Sequence, residues 1–336
     1  MKKVLVTMPV GGIRDSYFPP HVKKALEEKF DVVWNDKDSQ MTQQELHDTL
    51  PGFDAVMTGW GSAVLDESVL SGNDRLKLIV HTGGTVANLV DDYVYSRGIR
   101  VFSGNKMFAE SVAEGTIAYM LAAQRRLPYF INNVARGEWR DNNDLWEGLL
   151  DKTVGIVGVG MISRLLIPML QPFRVKIKIY SGWPLPRELT DAYRCQPATL
   201  DEIFSSCDII TVHSALNDHT RGLIRKRHFD LIKPGALFVN TSRGDVLDEQ
   251  ELLDALKENR FRAVLDVYHK EPLPADHPFR SLPNVYAIPH MAGPTYDRRW
   301  RIAAALTDEM SRFFGGENGF EFEITEALAK RMTKER

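Results

Sequence analysis

A short apolar run that breaks into closely spaced glycines is the feature that most restricts how this chain can fold. Residues 153–163 read TVGIVGVGMIS, an apolar strand pattern followed by Gly158 and Gly160 and then by an apolar-periodic helix over 161–171. A turn without Cβ atoms lets a pyrophosphate approach the backbone, and the start of the next helix offers N–H groups and a positive dipole end to it. The segment therefore predicts a strand–turn–helix unit that binds a dinucleotide.

The residues around this turn leave the type of dinucleotide open. The third position of the pattern is Ser163, a small residue that should preserve the packing of helix on strand. An acid that holds the adenosine ribose is expected about twenty residues further on. The next predicted strand, 175–180, ends instead in Ser181. Since an acid would repel a 2′-phosphate, both NAD and NADP remain possible, and Arg187 is either a partner of that phosphate or a solvated loop arginine.

Composition places the chain among ordinary globular proteins. Its 336 residues suffice for two domains with separate cores, and 43% hydrophobic with 26% charged residues fits that class. A net charge of −3 without a basic block argues against nucleic-acid binding. Cys195 and Cys207 lack metal-type spacing, and no apolar run reaches the roughly eighteen residues of a spanning helix. We expect a cytoplasmic protein without a metal site, a nucleic-acid partner or a membrane partner.

Strand patterns alternate with helical patterns along almost the whole chain, which is typical of parallel α/β sheets. The predicted strands are residues 3–8, 31–34, 54–58, 78–81 and 100–102, then 153–157, 175–180, 208–213, 236–240, 263–267 and 285–288. A longer helical region, 108–137, separates the two series. Thr42 with Glu45 and Thr199 with Glu202 form capping-box patterns that predict helix starts. The prediction is an α/β fold of two doubly wound parallel-sheet domains, Rossmann-like or flavodoxin-like, with an interdomain cleft.

Arg243, Glu271 and His290 each follow the end of a different predicted strand of the second sheet. Open parallel sheets bind ligands beyond these ends. A guanidinium fork can hold the carboxylate and carbonyl oxygens of a 2-oxo acid, and a histidine can protonate the carbonyl as hydride arrives. A carboxylate against the other ring nitrogen raises the histidine pKa and orients the ring. The three residues therefore predict reduction of a 2-oxo acid by a nicotinamide coenzyme.

Five sequence blocks carry a resemblance to a known family. In chain order they are SVAEGTIAYMLA, GIVGVGMIS, NTSRGDVLDE, LDVYHKEPLP and NVYAIPHMAGPT. They resemble the D-isomer-specific 2-hydroxyacid dehydrogenase family over about residues 76–295. The resemblance implies that Arg243 binds substrate, that His290 is the acid–base residue with Glu271 as its partner, and that Asp266 holds the nicotinamide carboxamide. It also implies a homodimer formed through the cofactor domain.

The resemblance extends to the loops that would bind substrate and coenzyme. The family binds the substrate carboxylate through backbone amides of a glycine loop, which here reads HTGGT with Gly83 and Gly84, and Trp60 would line the same pocket. Gly115 departs from the family pattern SVAEHT, which has a histidine there. From the glycine motif, the strand ends and the resemblance, the expected coenzyme-binding residues are Gly158, Gly160, Met161, Ile162, Ser181, Arg187, His213, Thr241 and Asp266.

The family layout assigns residues 1–103 and 293–336 to a substrate-binding domain and 104–292 to a dinucleotide-binding domain. The predicted activity is hydride transfer between NAD(P)H and a small 2-oxo acid to give a D-2-hydroxy acid, with glyoxylate and hydroxypyruvate as candidate substrates. Formate oxidation on the same fold needs no acid–base residue, so Glu271 argues against it. An alternative from another class is a dinucleotide-sensing interaction protein of the same fold that has no turnover.

Overall fold

The computed structural model describes residues 1–140 and 145–333. Residues 141–144 of the predicted dinucleotide-binding domain and residues 334–336 of the predicted substrate-binding domain lie outside the described residues. Within the described ranges, no helix combines the length and the apolar character needed to cross a membrane.

The first compact unit comprises Met1–Phe108 and Pro294–Arg336. Its sheet consists of β1 (Lys3–Val6), β2 (Asp31–Trp34), β3 (Ala55–Thr58), β4 (Leu78–His81) and β5 (Arg100–Ser103). All pairings are parallel, in the order β2-β1-β3-β4-β5. Every residue of β3 and β4 is buried, as expected of central strands covered on both faces. This is the flavodoxin-like order, in which a crevice opens beyond the carboxyl ends of β1 and β3.

The second compact unit, Ala109–Gly293, has its own parallel sheet. Its strands are β6 (Thr153–Val157), β7 (Lys176–Tyr180), β8 (Gln196–Pro197), β9 (Ile209–Val212), β10 (Leu237–Asn240), β11 (Arg262–Leu265) and β12 (Val285–Ala287). The order is β12-β11-β10-β9-β6-β7-β8, so the direction of winding reverses between β6 and β9. The short β8 has no counterpart in the prediction, because Pro197 lacks an N–H and is tolerated only at a sheet edge.

Successive side chains of the second sheet enter different cores. Leu237 and Val239 of β10 belong to one buried cluster, and Phe238 between them belongs to another. The near-continuous apolar strands therefore bury both faces of the sheet. The prediction of two doubly wound parallel sheets is confirmed, and the interdomain cleft stays a prediction.

Helices connect the strands in both units. In chain order they are α1 (Gly12–Tyr17), α2 (Pro20–Lys29), α3 (Gln43–Thr49), α4 (Glu67–Leu70), α5 (Asp92–Ser96), α6 (Asn105–Gln124), α7 (Leu127–Ala135), α8 (Met161–Leu170), α9 (Arg187–Tyr193), α10 (Leu200–Ser206), α11 (Lys226–Leu231), α12 (Glu249–Lys257), α13 (Arg299–Phe314) and α14 (Glu326–Ala329). Both predicted capping boxes form, at the starts of α3 and α10. The helical region predicted over 108–137 is divided, because Arg126 is left-handed (φ 52°) and Pro128 starts a new helix.

Candidate active site

The glycine turn between β6 and α8 lies at the reversal point of the second sheet. Gly158 has φ +101°, and a Cβ on it would lie 2.8 Å from Ser214 N and 2.7 Å from Ser214 Oγ. Gly160 is the N-cap of α8, and no side chain caps this helix. The turn therefore offers bare backbone and an N-terminal dipole end, which fit the pyrophosphate of a dinucleotide.

Ser163 replaces the third glycine of the pattern without opening the turn. Its buried hydroxyl donates a hydrogen bond of 2.7 Å to the carbonyl oxygen of Gly158. This bond ties the glycine turn to the first turn of α8. Serine therefore supplies both the small size that the packing needs and an extra support for the turn.

His213 follows β9 on the other side of the reversal point. Its Nε2 lies 2.9 Å from Thr211 Oγ1, and its buried Nδ1 has no hydrogen-bond partner within the described part of the chain. Burial lowers the pKa of His213 to about 3, so the ring is neutral. A buried ring nitrogen without a protein partner is a group that a bound coenzyme can satisfy. Thr241, after β10, is also buried, with its Oγ1 3.2 Å from Thr116 Oγ1.

The end of β7 presents polar and aromatic groups where a ribose-binding acid is usual. Ser181 Oγ accepts a hydrogen bond of 3.2 Å from the Trp183 N–H, and the Trp183 indole is exposed. Arg187 is exposed at the first position of α9. The next residue, Glu188, forms an ion pair with Arg164 of α8. This end of the site is compatible with either NAD or NADP.

His290 and Glu271 form a direct pair beyond β11 and β12. The His290 Nδ1 lies 2.6 Å from Glu271 Oε2, while Glu271 Oε1 accepts a hydrogen bond of 3.0 Å from the Tyr268 N–H. Both carboxylate oxygens are thus held, and the imidazole is oriented by one of them. Because Nδ1 faces Glu271, Nε2 of the half-exposed ring is the nitrogen left to exchange a proton with a ligand.

The two members of this pair shift each other's pKa in opposite directions. The hydrogen bond to Glu271 is the largest influence on the pKa of His290 and raises it. Together with the charges of Glu271 and Asp266, it outweighs the opposing effects of burial and of the Arg243 charge. For Glu271 burial is the largest influence and favours protonation, but the bonds from His290 and from the Tyr268 N–H together lower its pKa. The pair therefore favours an imidazolium beside a carboxylate, the state of a general acid.

Arg243 lies on a braced loop after β10. Asn240 Oδ1 accepts hydrogen bonds from the Ser242 N–H (3.1 Å) and hydroxyl (2.9 Å), and Asn240 Nδ2 donates to the Arg243 carbonyl oxygen (3.1 Å). A Cβ on Gly244 would lie 2.2 Å from the Tyr268 carbonyl carbon. Only glycine permits this approach, which brings the loop of Arg243 against the loop that leads to Glu271.

Asp266 directly follows β11 and is almost completely buried. Its Oδ1 accepts hydrogen bonds from the Met291 N–H (2.8 Å) and the Tyr119 hydroxyl (3.2 Å), and its Oδ2 accepts one from the Ala292 N–H (3.0 Å). Burial raises the pKa of Asp266 against the opposing effect of the backbone bonds. Its carboxylate thus faces the backbone of the residues that follow His290.

The glycine loop of the first unit follows β4. A Cβ on Gly83 would lie 2.3 Å from His81 Nε2 and 2.8 Å from Trp60 Nε1. The Gly84 carbonyl oxygen accepts a hydrogen bond of 2.5 Å from the Ser103 hydroxyl. Gly83 and Gly84 therefore form a tightly packed backbone turn beside the exposed indole of Trp60.

The predicted residues thus fall into two groups. The loops with Arg243, Glu271, His290 and Asp266 meet at the carboxyl edge of the second sheet, while Trp60 lies with the glycine loop in the first unit. Sequence reasoning gave no role to Tyr119, since helical periodicity does not identify which polar residue of a helix meets a buried carboxylate. It also missed the bracing role of Asn240, although the residue lies inside the NTSRG block.

The fold and the glycine turn define the class of the protein, a dinucleotide-binding α/β protein. The family "D-isomer specific 2-hydroxyacid dehydrogenase, NAD binding domain" matches residues 117–292. The chain is 31% identical over 325 residues to a glyoxylate reductase/hydroxypyruvate reductase of Mus musculus, covering 94% of this chain and 96% of that protein. It is 30% identical over 319 residues to a D-3-phosphoglycerate dehydrogenase of Methanocaldococcus jannaschii, covering 94% of this chain but only 58% of that protein.

A solved structure supports the same fold. The crystal structure of a protein from Thermus thermophilus matches with a TM-score of 0.79 and 25% identity, covering 96% of this chain and all of that one. The chain belongs to the D-isomer specific 2-hydroxyacid dehydrogenase family. It is an oxidoreductase with an NAD-binding domain that transfers hydride between the coenzyme and a 2-oxo acid.

Proposed function

We propose that this enzyme reduces a small 2-oxo acid of the glyoxylate or hydroxypyruvate type to the D-2-hydroxy acid. The observation that carries the proposal is the His290–Glu271 pair, with 2.6 Å between Nδ1 and Oε2, at the carboxyl edge of the dinucleotide-binding sheet. A reduction that creates a hydroxyl needs a proton at the former carbonyl oxygen, and this pair holds one ready. The named activity of the mouse relative supports the choice of substrate class.

In the proposed reaction, His290, Glu271 and Arg243 have separate roles. His290 donates a proton from Nε2 to the carbonyl oxygen, and Glu271 keeps the ring oriented and favours its charged form. Arg243 presents a planar, permanently charged fork that binds the substrate carboxylate and carbonyl oxygens. When bound, the nicotinamide supplies the hydride, so the protein contributes position, charge and one proton.

The coenzyme would be held by the second unit and the substrate carboxylate by the first. The glycine turn supports the former role because Gly158 and Gly160 leave the backbone accessible before α8. For the latter role, the support is the packed glycine turn of Gly83 and Gly84 beside Trp60. These assignments make residues 1–103 with 293–336 the substrate-binding domain and 104–292 the dinucleotide-binding domain.

The proposal is tested by following NADH and NADPH oxidation across short 2-oxo acids, formate being assayed in the oxidative direction. We expect turnover with glyoxylate or hydroxypyruvate, and a loss of at least about 100-fold in kcat in His290→Ala, since general acid catalysis contributes roughly 10²–10⁴-fold. His219→Ala is the matched control, because His219 is exposed and lies on a different loop. Tight coenzyme binding without turnover on any acid would instead favour the dinucleotide-sensing role.

The family resemblance also supports a cytoplasmic homodimer formed through the dinucleotide-binding domain. In that unit, α7 and the segment after it expose an unusual number of large apolar side chains for a solvated surface. They are Leu127, Tyr129, Ile131, Val134, Trp139, Leu145, Trp146 and Leu150. A second copy of the chain would bury them.

A further inference from the structure

The buried carboxylate of Asp266 holds the backbone of the loop that carries His290. Asp266 accepts the N–H groups of Met291 and Ala292, one on each oxygen, at 2.8 and 3.0 Å. These are the two residues directly after His290, whose own backbone is left-handed with φ +48°. Because the side chain leaves the backbone at this point, a rotation of the loop would move the imidazole ring away from Glu271.

Helix α6 supports this carboxylate with one hydroxyl. Tyr119 donates a hydrogen bond of 3.2 Å to Asp266 Oδ1, the oxygen that also accepts from Met291. The Tyr119 ring packs against a buried hydrophobic cluster of the second sheet, and this packing fixes the position of its hydroxyl. Burial is the largest influence raising the pKa of Asp266, and the bond from Tyr119 is one of those that oppose it. The phenol therefore helps to keep an anion beneath the loop.

The same helix approaches the loop at Gly115, one turn before Tyr119. A Cβ on Gly115 would lie 3.0 Å from the Ala292 carbonyl oxygen and 3.2 Å from its Cα. The loop thus rests directly on the helix backbone, and a larger residue would lift it. Gly115 and Tyr119 are spaced i, i+4, so both face the loop from one side of the helix.

We propose that Asp266 and Tyr119 are positioning residues that set where His290 presents its imidazole, with Gly115 providing the room for the loop. This role rests on the proposed acid–base function of His290. It goes beyond the expected contact of Asp266 with the nicotinamide carboxamide, because it operates in the coenzyme-free protein.

The charged groups around His290 and Asp266 determine which measurement tests the positioning role. Glu271, Arg243 and Asp266 act on the imidazole, and Tyr119 and Tyr268 face Asp266. Asp266 favours the imidazolium, so removing its charge lowers the pKa of His290 and moves the upper pH limit of reduction downward. Tyr119→Phe keeps the carboxylate and removes only one bond to it, so its main effect is on geometry.

The test uses the full-length protein with Tyr119→Phe, Asp266→Asn and Gly115→Ala. In the coenzyme-free protein we expect amide hydrogen exchange at Met291 and Ala292 to accelerate about tenfold, since a hydrogen bond to a charged group is worth that much or more. Tyr119→Phe should lower kcat about tenfold with KM changed less than about twofold. The imidazole titration of His290, followed by NMR, should move to lower pH in Asp266→Asn.

Tyr286→Phe is the matched control, because it removes a hydroxyl from a ring that packs against the same buried cluster as Tyr119. It should leave both amides, kcat and the imidazole titration unchanged. Wild-type exchange, kcat and titration in both Tyr119→Phe and Gly115→Ala would overturn the positioning role, even if Asp266→Asn fails to fold. A weaker coenzyme affinity as the sole change would overturn it as well, leaving Asp266 as a coenzyme ligand. Absence of turnover in the wild type would refute the proposed function. Amide hydrogen exchange at Met291 and Ala292 would still decide whether Asp266 and Tyr119 hold the loop in place.

Discussion

His290 occupies a backbone position that few side chains adopt. Its φ of +48° lies in the left-handed region, which costs a residue with a Cβ about 1 kcal/mol or more. Such a conformation persists only where neighbouring contacts over-determine it. Here the Asp266 bonds to the two following amides and the Glu271 bond to the ring supply those contacts. The backbone conformation directs the ring to the carboxylate that raises its pKa.

The Glu271 carboxylate has an effect on pH dependence that can be measured directly. In the proposed mechanism, reduction needs protonated His290. Its pKa is raised chiefly by Glu271, so we expect activity to be lost as pH rises through that raised value. Glu271→Gln removes the raising influence, and we expect the upper limb of kcat/KM against pH to move to lower pH. Asp201→Asn is the control, because Asp201 lies 3.6 Å from a different histidine, His228. An unmoved limb would show that the pair does not govern protonation.

Arg243 should not be replaceable by another cation. Lysine carries a point charge and cannot present two parallel donors to a carboxylate. We expect Arg243→Lys to lower kcat/KM about 10- to 100-fold, the worth of one lost hydrogen bond to a charged group. Arg225→Lys, at an exposed arginine paired with Asp248, should leave kcat/KM within about twofold. Near-wild-type kinetics in Arg243→Lys would refute the assigned role.

At the scale of elements, we expect the two glycines of the turn between β6 and α8 to have different roles, Gly158 in stability and Gly160 in coenzyme binding. Alanine at Gly158 would place its Cβ 2.8 Å from Ser214 N at φ +101°, whereas nothing lies within 4 Å of a Cβ at Gly160. We expect Gly158→Ala to lower the free energy of unfolding by about 1–3 kcal/mol. Gly160→Ala should keep the melting temperature and weaken NAD(P)H binding, because the methyl group stands where the pyrophosphate approaches.

Thermal unfolding and fluorescence titration with NAD(P)H check this pair of variants together. Equal losses of stability in Gly158→Ala and Gly160→Ala would show that both glycines are needed for folding, contrary to this prediction. Unchanged coenzyme affinity in Gly160→Ala would place the pyrophosphate elsewhere.

At the scale of the whole molecule, the apolar surface of α7 bears on assembly. Ile131 is 64% exposed on that helix, and a second copy of the chain would bury this apolar surface. We expect the wild type to be a dimer and Ile131→Asp to shift it toward monomer, as measured by size-exclusion chromatography with light scattering. Leu231→Asp, at an exposed leucine of α11, should leave the mass unchanged. A monomeric wild type would contradict the dimer.

Much of the architecture follows from local sequence properties. Apolar strand runs, capping residues and the glycine turn act over a few residues, so β2, β4 and β6 were predicted with their observed limits and both capping boxes form. Arg243, Glu271 and His290 could be singled out because the ends of parallel strands meet at one edge. The break at Arg126 and the edge strand β8 were missed, since each depends on packing around a proline.

The sequence by itself determined the fold class, the glycine turn and the types of group at the edge of the sheet, because those depend on periodicity and spacing. Only the tertiary structure decided how these groups are held. Tyr119 meets Asp266 across 147 positions of sequence, and Gly244 is required by the backbone of Tyr268. Contacts of this kind arise where separate loops pack on one another, and no local pattern encodes which residues will face each other there.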